Sequence, residues 1–241
     1  ELAGDYERGD VMGDFRLMSI DVQRAHFVWI VRGFDKDGRS YLVDNGNSPS
    51  WSDLDTTFLN YDVAAAVVDT GFGERTQECY EAIYRRRNRF WACKGWRKLT
   101  TPVAIKSVDP FTGTGKAARA RIRLLHVDVS VFGGEILKRR GGLVKGFELY
   151  REPDRDYVKQ LNSKYLIEKT NRTGEVVQEW RTKRHGQDHY FDCEVYCLAL
   201  SKVLGLGNVT RKDVNDERTK TPGTKQRRPA SRQKAKANSF W

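Results

Sequence analysis

The chain has 241 residues, of which 43 are Lys or Arg and 32 are Asp or Glu, so its formal net charge is +11. A chain of this length can bury a sizeable core without disulfides, and its four cysteines form no CxxC pair and no repeated spacing. A disulfide-built secreted scaffold is therefore excluded, and a zinc ribbon is not indicated. Apolar runs do not exceed six residues, as at 63–68, whereas a membrane-spanning helix needs about 18 to 20. The N-terminus also lacks a signal-peptide pattern, so we expect neither secretion nor membrane insertion.

The two ends of the chain differ from its middle. The sequence begins at Glu1, without an initiator Met, which indicates a fragment of a longer protein. From Arg218 onward there are eight basic residues and no acidic residue, in a stretch too polar to offset its ordering entropy by burial. We predict a linker over 1–14, one folded domain over 15–205 and a basic tail over 206–241. The tail suits DNA phosphates or an acidic partner, and a solubilising terminus is the alternative.

Alternating apolar residues predict three strands near the start of the domain. Residues 15–23 place Asp21 on one face and an apolar set on the other. A second alternating run follows at 27–31, and a tight-turn signal at Asp37-Gly38 leads into a third strand at 41–43. The pattern therefore indicates an antiparallel three-strand meander whose first strand carries an acid.

The rest of the domain has the pattern of strands and helices in alternation. The continuous apolar run at 63–68 is typical of a strand covered on both faces in a parallel sheet, and it ends at Asp69. Further strands are predicted at 90–93, 122–129, 164–169 and 175–180. Helices are predicted at 76–83, 154–162 and 189–204, and a further helix begins after Ser130, which is its predicted N-cap. Asp192 shares the apolar face of the last helix. We predict an α/β fold with a mixed sheet, in which the meander adjoins parallel strands and helices flank the sheet.

Three acids occupy special positions: Asp21 in a core strand, Asp69 at the carboxyl end of a parallel strand, and Asp192 at the start of a packed helix. Buried carboxylates usually pair with a cation or bind a metal, and open α/β sheets collect ligands beyond the carboxyl ends of their strands. An all-oxygen donor set favours Mg²⁺ or Mn²⁺ over zinc. Two such ions about 4 Å apart support phosphodiester hydrolysis. We predict that these acids are catalytic and bind two Mg²⁺ or Mn²⁺ ions.

Other residues compete for these roles. Asp128 also ends an apolar strand, where it suits a helix entry equally well. Asp188 lies just before the last helix, a position that favours capping over metal binding. We interpret Glu194, which points to another side of that helix, as an exposed or capping charge. His189 and the cysteines four and eight residues after it share one helix face and form a zinc alternative without an evident fourth ligand.

The ordered set of motifs resembles the ribonuclease H superfamily and, within it, the nuclease domain of large terminase subunits of tailed phages, most closely the lambda-like GpA family. The resemblance extends over about residues 15–205, and the segments that carry it are 18–23, 27–33, 68–71, 90–95 and 189–196. It implies a divalent-metal-dependent endonuclease that cuts concatemeric viral double-stranded DNA at packaging. Asp21 would then bridge both ions, with Asp69 and Asp192 each completing one side.

The resemblance also implies partners and a location. These are an ATPase domain before residue 1, a small terminase subunit, a portal and the host cell cytoplasm. No ATPase domain is found in the chain itself, since its nearest phosphate-loop candidate, 110–117, lacks the first Gly and the final Ser or Thr. The predicted DNA contacts are basic side chains, namely Lys94, Arg85, Arg86, Arg87, Lys116, Arg119, Arg227 and Arg228. The alternatives are a non-catalytic nucleic-acid or portal-docking module and a resolvase or RNase H-type nuclease on the same fold.

Overall fold

The computed structural model describes residues 2–111, 120–170, 172, 174, 176–183 and 186–206. Its strands are β1 (Phe15–Val22), β2 (Phe27–Phe34), β3 (Ser40–Ser48), β4 (Ala65–Asp69), β5 (Phe90–Trp96), β6 (Val103–Val108), β7 (Ile122–Asp128), β8 (Phe147–Glu148), β9 (Lys164–Thr170) and β10 (Val176–Thr182). Its α-helices are α1 (Trp51–Asn60), α2 (Thr76–Arg85), α3 (Val129–Arg140), α4 (Arg155–Leu161) and α5 (His189–Val203). Over these described residues, no helix has the length and apolar character needed to cross a membrane.

Eight of the strands form one mixed sheet, in the order β6-β7-β5-β4-β1-β2-β3-β8. β1, β2 and β3 pair antiparallel as a meander. β4 lies parallel to both β1 and β5, and β5 is parallel to β7. The predicted α/β fold with a mixed sheet, in which a meander adjoins parallel strands, is confirmed. β9 and β10 form a separate antiparallel pair.

Helices cover both faces of the large sheet. Successive side chains of a strand point to opposite faces. On one face Leu17 and Val67 pack with α3, α4 and α5, and on the other Met18 and Val68 pack with α1 and α2. Burial of each such side chain stabilises the fold by roughly 1.5–3 kcal/mol. Because β1 and β4 lie between two helical layers, the apolar run at 63–68 is continuous instead of alternating, as the sequence predicted.

The start of α3 differs from the prediction. Asp128, not Ser130, is the N-cap residue: its carboxylate accepts hydrogen bonds from the backbone N–H groups of Ser130 and Val131, at 3.0 and 3.1 Å. It also accepts one from the N–H of Leu99 at 2.8 Å. An aspartate carboxylate satisfies free N–H groups of a first helical turn and interacts favourably with the helix dipole. Asp128 therefore has a structural role at the helix entry.

The segment before β1 packs against the domain. Ala3 forms a parallel bridge with Leu149, and the buried Tyr6 donates a hydrogen bond from its hydroxyl to the carbonyl of Leu42 at 3.1 Å. Arg8 pairs with Asp44 at 2.6 Å. Part of the predicted linker thus contributes to the core, while the predicted boundaries of the domain stay predictions.

Candidate active site

Asp21 and Asp69 lie on neighbouring parallel strands at the same edge of the sheet. The register of β1 and β4 pairs Ile20 with Val68, and its continuation by one residue sets Asp21 beside Asp69. Neighbouring strands are about 4.8 Å apart. Asp21 is four residues from Leu17, and Asp69 is two residues from Val67, so each acid points to the same sheet face as that apolar residue. Both carboxylates therefore face the helical layer that contains α5. The sheet therefore brings the first two predicted acids together.

Asp192 comes to this place on the first turn of α5. The helix packs along β1 and β2, and the Cys193 thiol lies 3.6 Å from the carbonyl of Val28 in β2. One turn further along lies Tyr196, whose hydroxyl acts to lower the pKa of the Asp69 carboxyl. Asp192 interacts electrostatically with both Asp21 and Asp69. All three acids predicted from the sequence are therefore neighbours in the structure.

The environment of the acids opposes negative charge. Burial raises the pKa of the Asp69 carboxyl to about 7, and the neighbouring Asp21 carboxylate contributes to that rise. Burial also raises the pKa of Asp192 to about 6, although Lys164 acts in the opposite direction. Like charges in a poorly solvated place raise one another's pKa values until a cation compensates them. The cluster therefore has the electrostatics of a cation site.

Polar side chains already contact two of the three acids. The Lys164 Nζ atom of β9 lies 2.6 Å from Asp192 Oδ1 and 3.1 Å from the Asp188 carboxylate. At Asp21, Oδ2 lies 2.7 Å from Nδ1 of His189 and 2.7 Å from Nε2 of Gln23. Lys164 was not predicted as a site residue. The sequence predicted a strand at 164–169, but its pattern did not show where the Lys164 side chain would point or which residue it would contact.

The donor atoms of the three acids are of the type that fits a hard divalent cation. Within the ranges that the structure describes, no three His, Cys, Asp or Glu side chains are placed to hold one metal ion. Lys164 contacts Asp192 and His189 contacts Asp21. Carboxylate oxygens are the ligands that Mg²⁺ and Mn²⁺ prefer. His189 contacts Asp21, and the described residues contain no cluster of the zinc alternative that could hold an ion.

Removal of the Lys164 ammonium should strengthen cation binding. Lys164→Met keeps most of the side-chain length but removes the charge that competes for Asp192. A charge-assisted contact of this kind contributes about 1.5–3 kcal/mol, so the Kd for Mn²⁺ should fall roughly tenfold. Isothermal titration calorimetry measures the Kd for Mn²⁺ of the variant and of the wild type. Lys169→Met, on the same strand with a side chain 60% exposed, is the matched control, and equal Mn²⁺ affinity in both variants would contradict a competing role for Lys164.

Asp188 and Glu194 do not have the roles expected of them. Asp188 occupies the N-cap position of α5, but its side chain makes no capping bond and pairs with Lys164 instead. Glu194 is 1% exposed and forms an ion pair with Arg32 at 2.8 Å, so its interpretation as an exposed or capping charge was wrong. Tyr157 also donates its hydroxyl to Glu194 at 2.6 Å. The pair joins α5 to β2.

The predicted DNA contacts are spread over different surfaces. Lys94 lies in β5, one residue after the partner of Asp69, but its ammonium is directed to the opposite sheet face, 5.9 Å from the Tyr80 ring centre. Arg85, Arg86 and Arg87 precede β5 and so lie near its amino end. Lys116, Arg119, Arg227 and Arg228 lie outside the described residues. The structure therefore places no predicted basic side chain of the described ranges directly at the acids.

Comparison with known proteins gives a family. The family described as "Terminase large subunit gpA, endonuclease domain" matches residues 11–214, which include all three acids. No curated protein matches the chain. Among solved structures, the chain is similar to the large terminase nuclease from thermophilic phage G20c, with 15% identity, a TM-score of 0.44, and coverage of 82% of this chain and 92% of that chain. Because the family match covers most of the sequence, the chain belongs to the family of terminase large subunit gpA endonuclease domains.

Proposed function

We propose that this domain is a divalent-metal-dependent endonuclease that cuts concatemeric phage double-stranded DNA during packaging, by two-metal-ion phosphodiester hydrolysis. The main support for the proposal is that Asp21, Asp69 and Asp192 lie near one another at the carboxyl edge of the parallel strands. Family membership supports the nuclease activity. The chemistry of the acids supports the proposed metal dependence and two-ion mechanism.

Each acid has a distinct place in the proposed site. Asp21 would hold both of two Mg²⁺ or Mn²⁺ ions, with Asp69 and Asp192 each completing one side. When bound, two such ions activate a water and stabilise the leaving oxygen. Groups behind the ligands orient them: the Gly71 N–H donates to Asp69 Oδ1 at 2.8 Å, and Gln23 donates to Asp21.

The proposed partners are those of a packaging motor. They comprise double-stranded DNA, an ATPase domain, a small terminase subunit and a portal, in the host cell cytoplasm. Lys94 and the basic residues Lys116, Arg119, Arg227 and Arg228 are the proposed DNA contacts. A net charge of +11 supports binding to a polyanion, with an affinity that falls steeply as salt rises.

Metal-dependent plasmid cleavage tests the proposed function. We expect nicking and linearisation of plasmid DNA with Mg²⁺ or Mn²⁺ and no cleavage with EDTA. Binding of the plasmid without cleavage under every metal condition would favour the non-catalytic docking module. A comparison of linear duplex, four-way junction and RNA–DNA hybrid substrates separates a terminase nuclease from a resolvase or an RNase H-type enzyme. Preference for either of the last two substrates would overturn the packaging assignment.

A further inference from the structure

A second concave surface lies away from the acids, between α1 and the start of β5. This cleft has a volume of about 360 Å³. Its floor is apolar, formed by Phe58 and Leu59 of α1 and by Phe90 of β5. Leu59 is 69% exposed, an unusual position for a large aliphatic side chain beside a cleft. We call this surface, together with the arginines of 85–89 at its rim, the arginine-rimmed cleft.

The rim holds positive charge without compensation. Arg86 is neutralised by Asp55, with its Nε atom 2.6 Å from Oδ1. Arg85, Arg87 and Arg89 are exposed, and none of them forms an ion pair with the described parts of the chain. The Arg87 guanidinium lies 4.6 Å from the Tyr84 ring centre and that of Arg89 lies 5.6 Å from the Phe58 ring centre. Stacking on aromatic rings restricts these two side chains, so they are oriented before any partner arrives.

The cleft is poorly placed to bind the DNA that is cut. Asp69 lies beside Cys93 at the carboxyl edge of the sheet, whereas the cleft begins at Phe90, about 10 Å earlier along β5. The acids face α5, and the cleft is on the face that carries α1 and α2. The cleft and the acids therefore lie on opposite faces of the sheet.

We propose that the arginine-rimmed cleft docks an acidic protein segment that carries an apolar anchor residue. The anchor enters the floor formed by Phe58 and Phe90 and covers Leu59. The carboxylates on either side of the anchor form ion pairs with Arg85, Arg87 and Arg89. The planar guanidinium group of arginine matches the geometry of a carboxylate. A buried apolar anchor surrounded by charged contacts is the usual anatomy of a protein docking site. A phosphate backbone alone has no apolar group to fill this floor, which favours protein over nucleic acid. This role is independent of the proposed cleavage.

A labelled peptide tests the proposal with the full chain. The probe is a fluorescently labelled synthetic dodecapeptide of Glu and Asp with Leu-Phe at its centre. Its binding is measured by fluorescence anisotropy at low salt. Two competitors accompany it: the same peptide with Ser-Ser in place of Leu-Phe, and a duplex oligonucleotide. We expect saturable binding that the Ser-Ser peptide and the oligonucleotide displace only at concentrations at least several-fold higher than the unlabelled probe requires.

Two variants and one control locate the binding. The triple variant Arg85→Glu, Arg87→Glu, Arg89→Glu should weaken peptide binding at least roughly tenfold, and should weaken plasmid binding no more than the control variant does. Leu59→Ser should weaken peptide binding several-fold and leave plasmid binding unchanged. The control reverses three exposed lysines on other surfaces, Lys36→Glu, Lys145→Glu and Lys159→Glu, with the same change in net charge. Equal weakening by the control, or absence of saturable binding, would overturn the proposal. Loss of duplex binding in the arginine variant alone would assign the cleft to nucleic acid, as the sequence predicted for Arg85, Arg86 and Arg87.

Discussion

Asp69→Asn should reduce metal-dependent plasmid cleavage by about a thousandfold or more. The substitution keeps the shape of the side chain and the acceptor for the Gly71 N–H, but it removes the charge of a proposed metal ligand. A bound ion stabilises the transition state by several kcal/mol, and each 1.36 kcal/mol is a factor of ten in rate. Single-turnover cleavage with Mn²⁺ measures the loss. We expect Asp21→Asn and Asp192→Asn to have effects of the same order.

The loss must be separated from unfolding. Asp69 is a poorly solvated carboxylate close to Asp21 and Asp192, so a neutral amide at this position relieves repulsion. The thermal midpoint of the variant without metal should therefore not fall below that of the wild type. Asp156→Asn, on the exposed side of α4, is the matched control and should cleave normally. If any one of the three variants still cleaves at the wild-type rate, that residue is not part of the site.

Glu194→Ala should destabilise the domain by about 3–5 kcal/mol, the usual effect of removing one partner from a buried ion pair. Arg32 is 2% exposed and would keep its charge without a carboxylate nearby. Burial opposes that charge, while Glu194, together with Tyr157 and Tyr6, raises the pKa of Arg32 enough to outweigh the effect of burial. Urea unfolding, followed by circular dichroism, measures the change in the free energy of unfolding.

A second variant keeps this prediction testable if Glu194→Ala does not fold. The double variant Arg32→Met, Glu194→Leu removes both charges and should recover most of the lost stability. The matched control is Glu148→Ala, whose partner Arg39 is 52% exposed and whose loss should change the free energy by about 1 kcal/mol or less. Equal effects of Glu148→Ala and Glu194→Ala would show that burial does not strengthen the Arg32 pair.

The positions of the three acids were predictable because each belongs to a local pattern. Strand alternation placed Asp21 towards the core, the continuous apolar run located Asp69 at a strand end, and the helical period put Asp192 on a packed face. Each of these patterns reports which way a side chain points. Together with the ordered motifs, they were sufficient to predict the sheet and the cluster.

Contacts between distant segments could not be predicted in this way. Glu194 is charged and lies two residues from Asp192, and nothing near it in the sequence shows that Arg32 will meet it 162 residues away. The contact of Lys164 with Asp192 likewise depends on how β9 is placed over α5. α1 was also missed: this short helix buries only Leu54 and Phe58, too few apolar residues to give a clear period.

The acids and the ammonium that contacts one of them belong to parts of the fold with different expected stability. Asp21 lies on β1, the strand near the middle of the eight-stranded sheet, and every residue of β1 is buried. Lys164 lies on a two-stranded pair, a unit that is marginal without further packing. Proteins open locally where few buried contacts hold a segment and resist opening where many do. We therefore expect the arrangement of Asp21 to be lost only on global unfolding, and the Lys164 contact to open at a lower free energy.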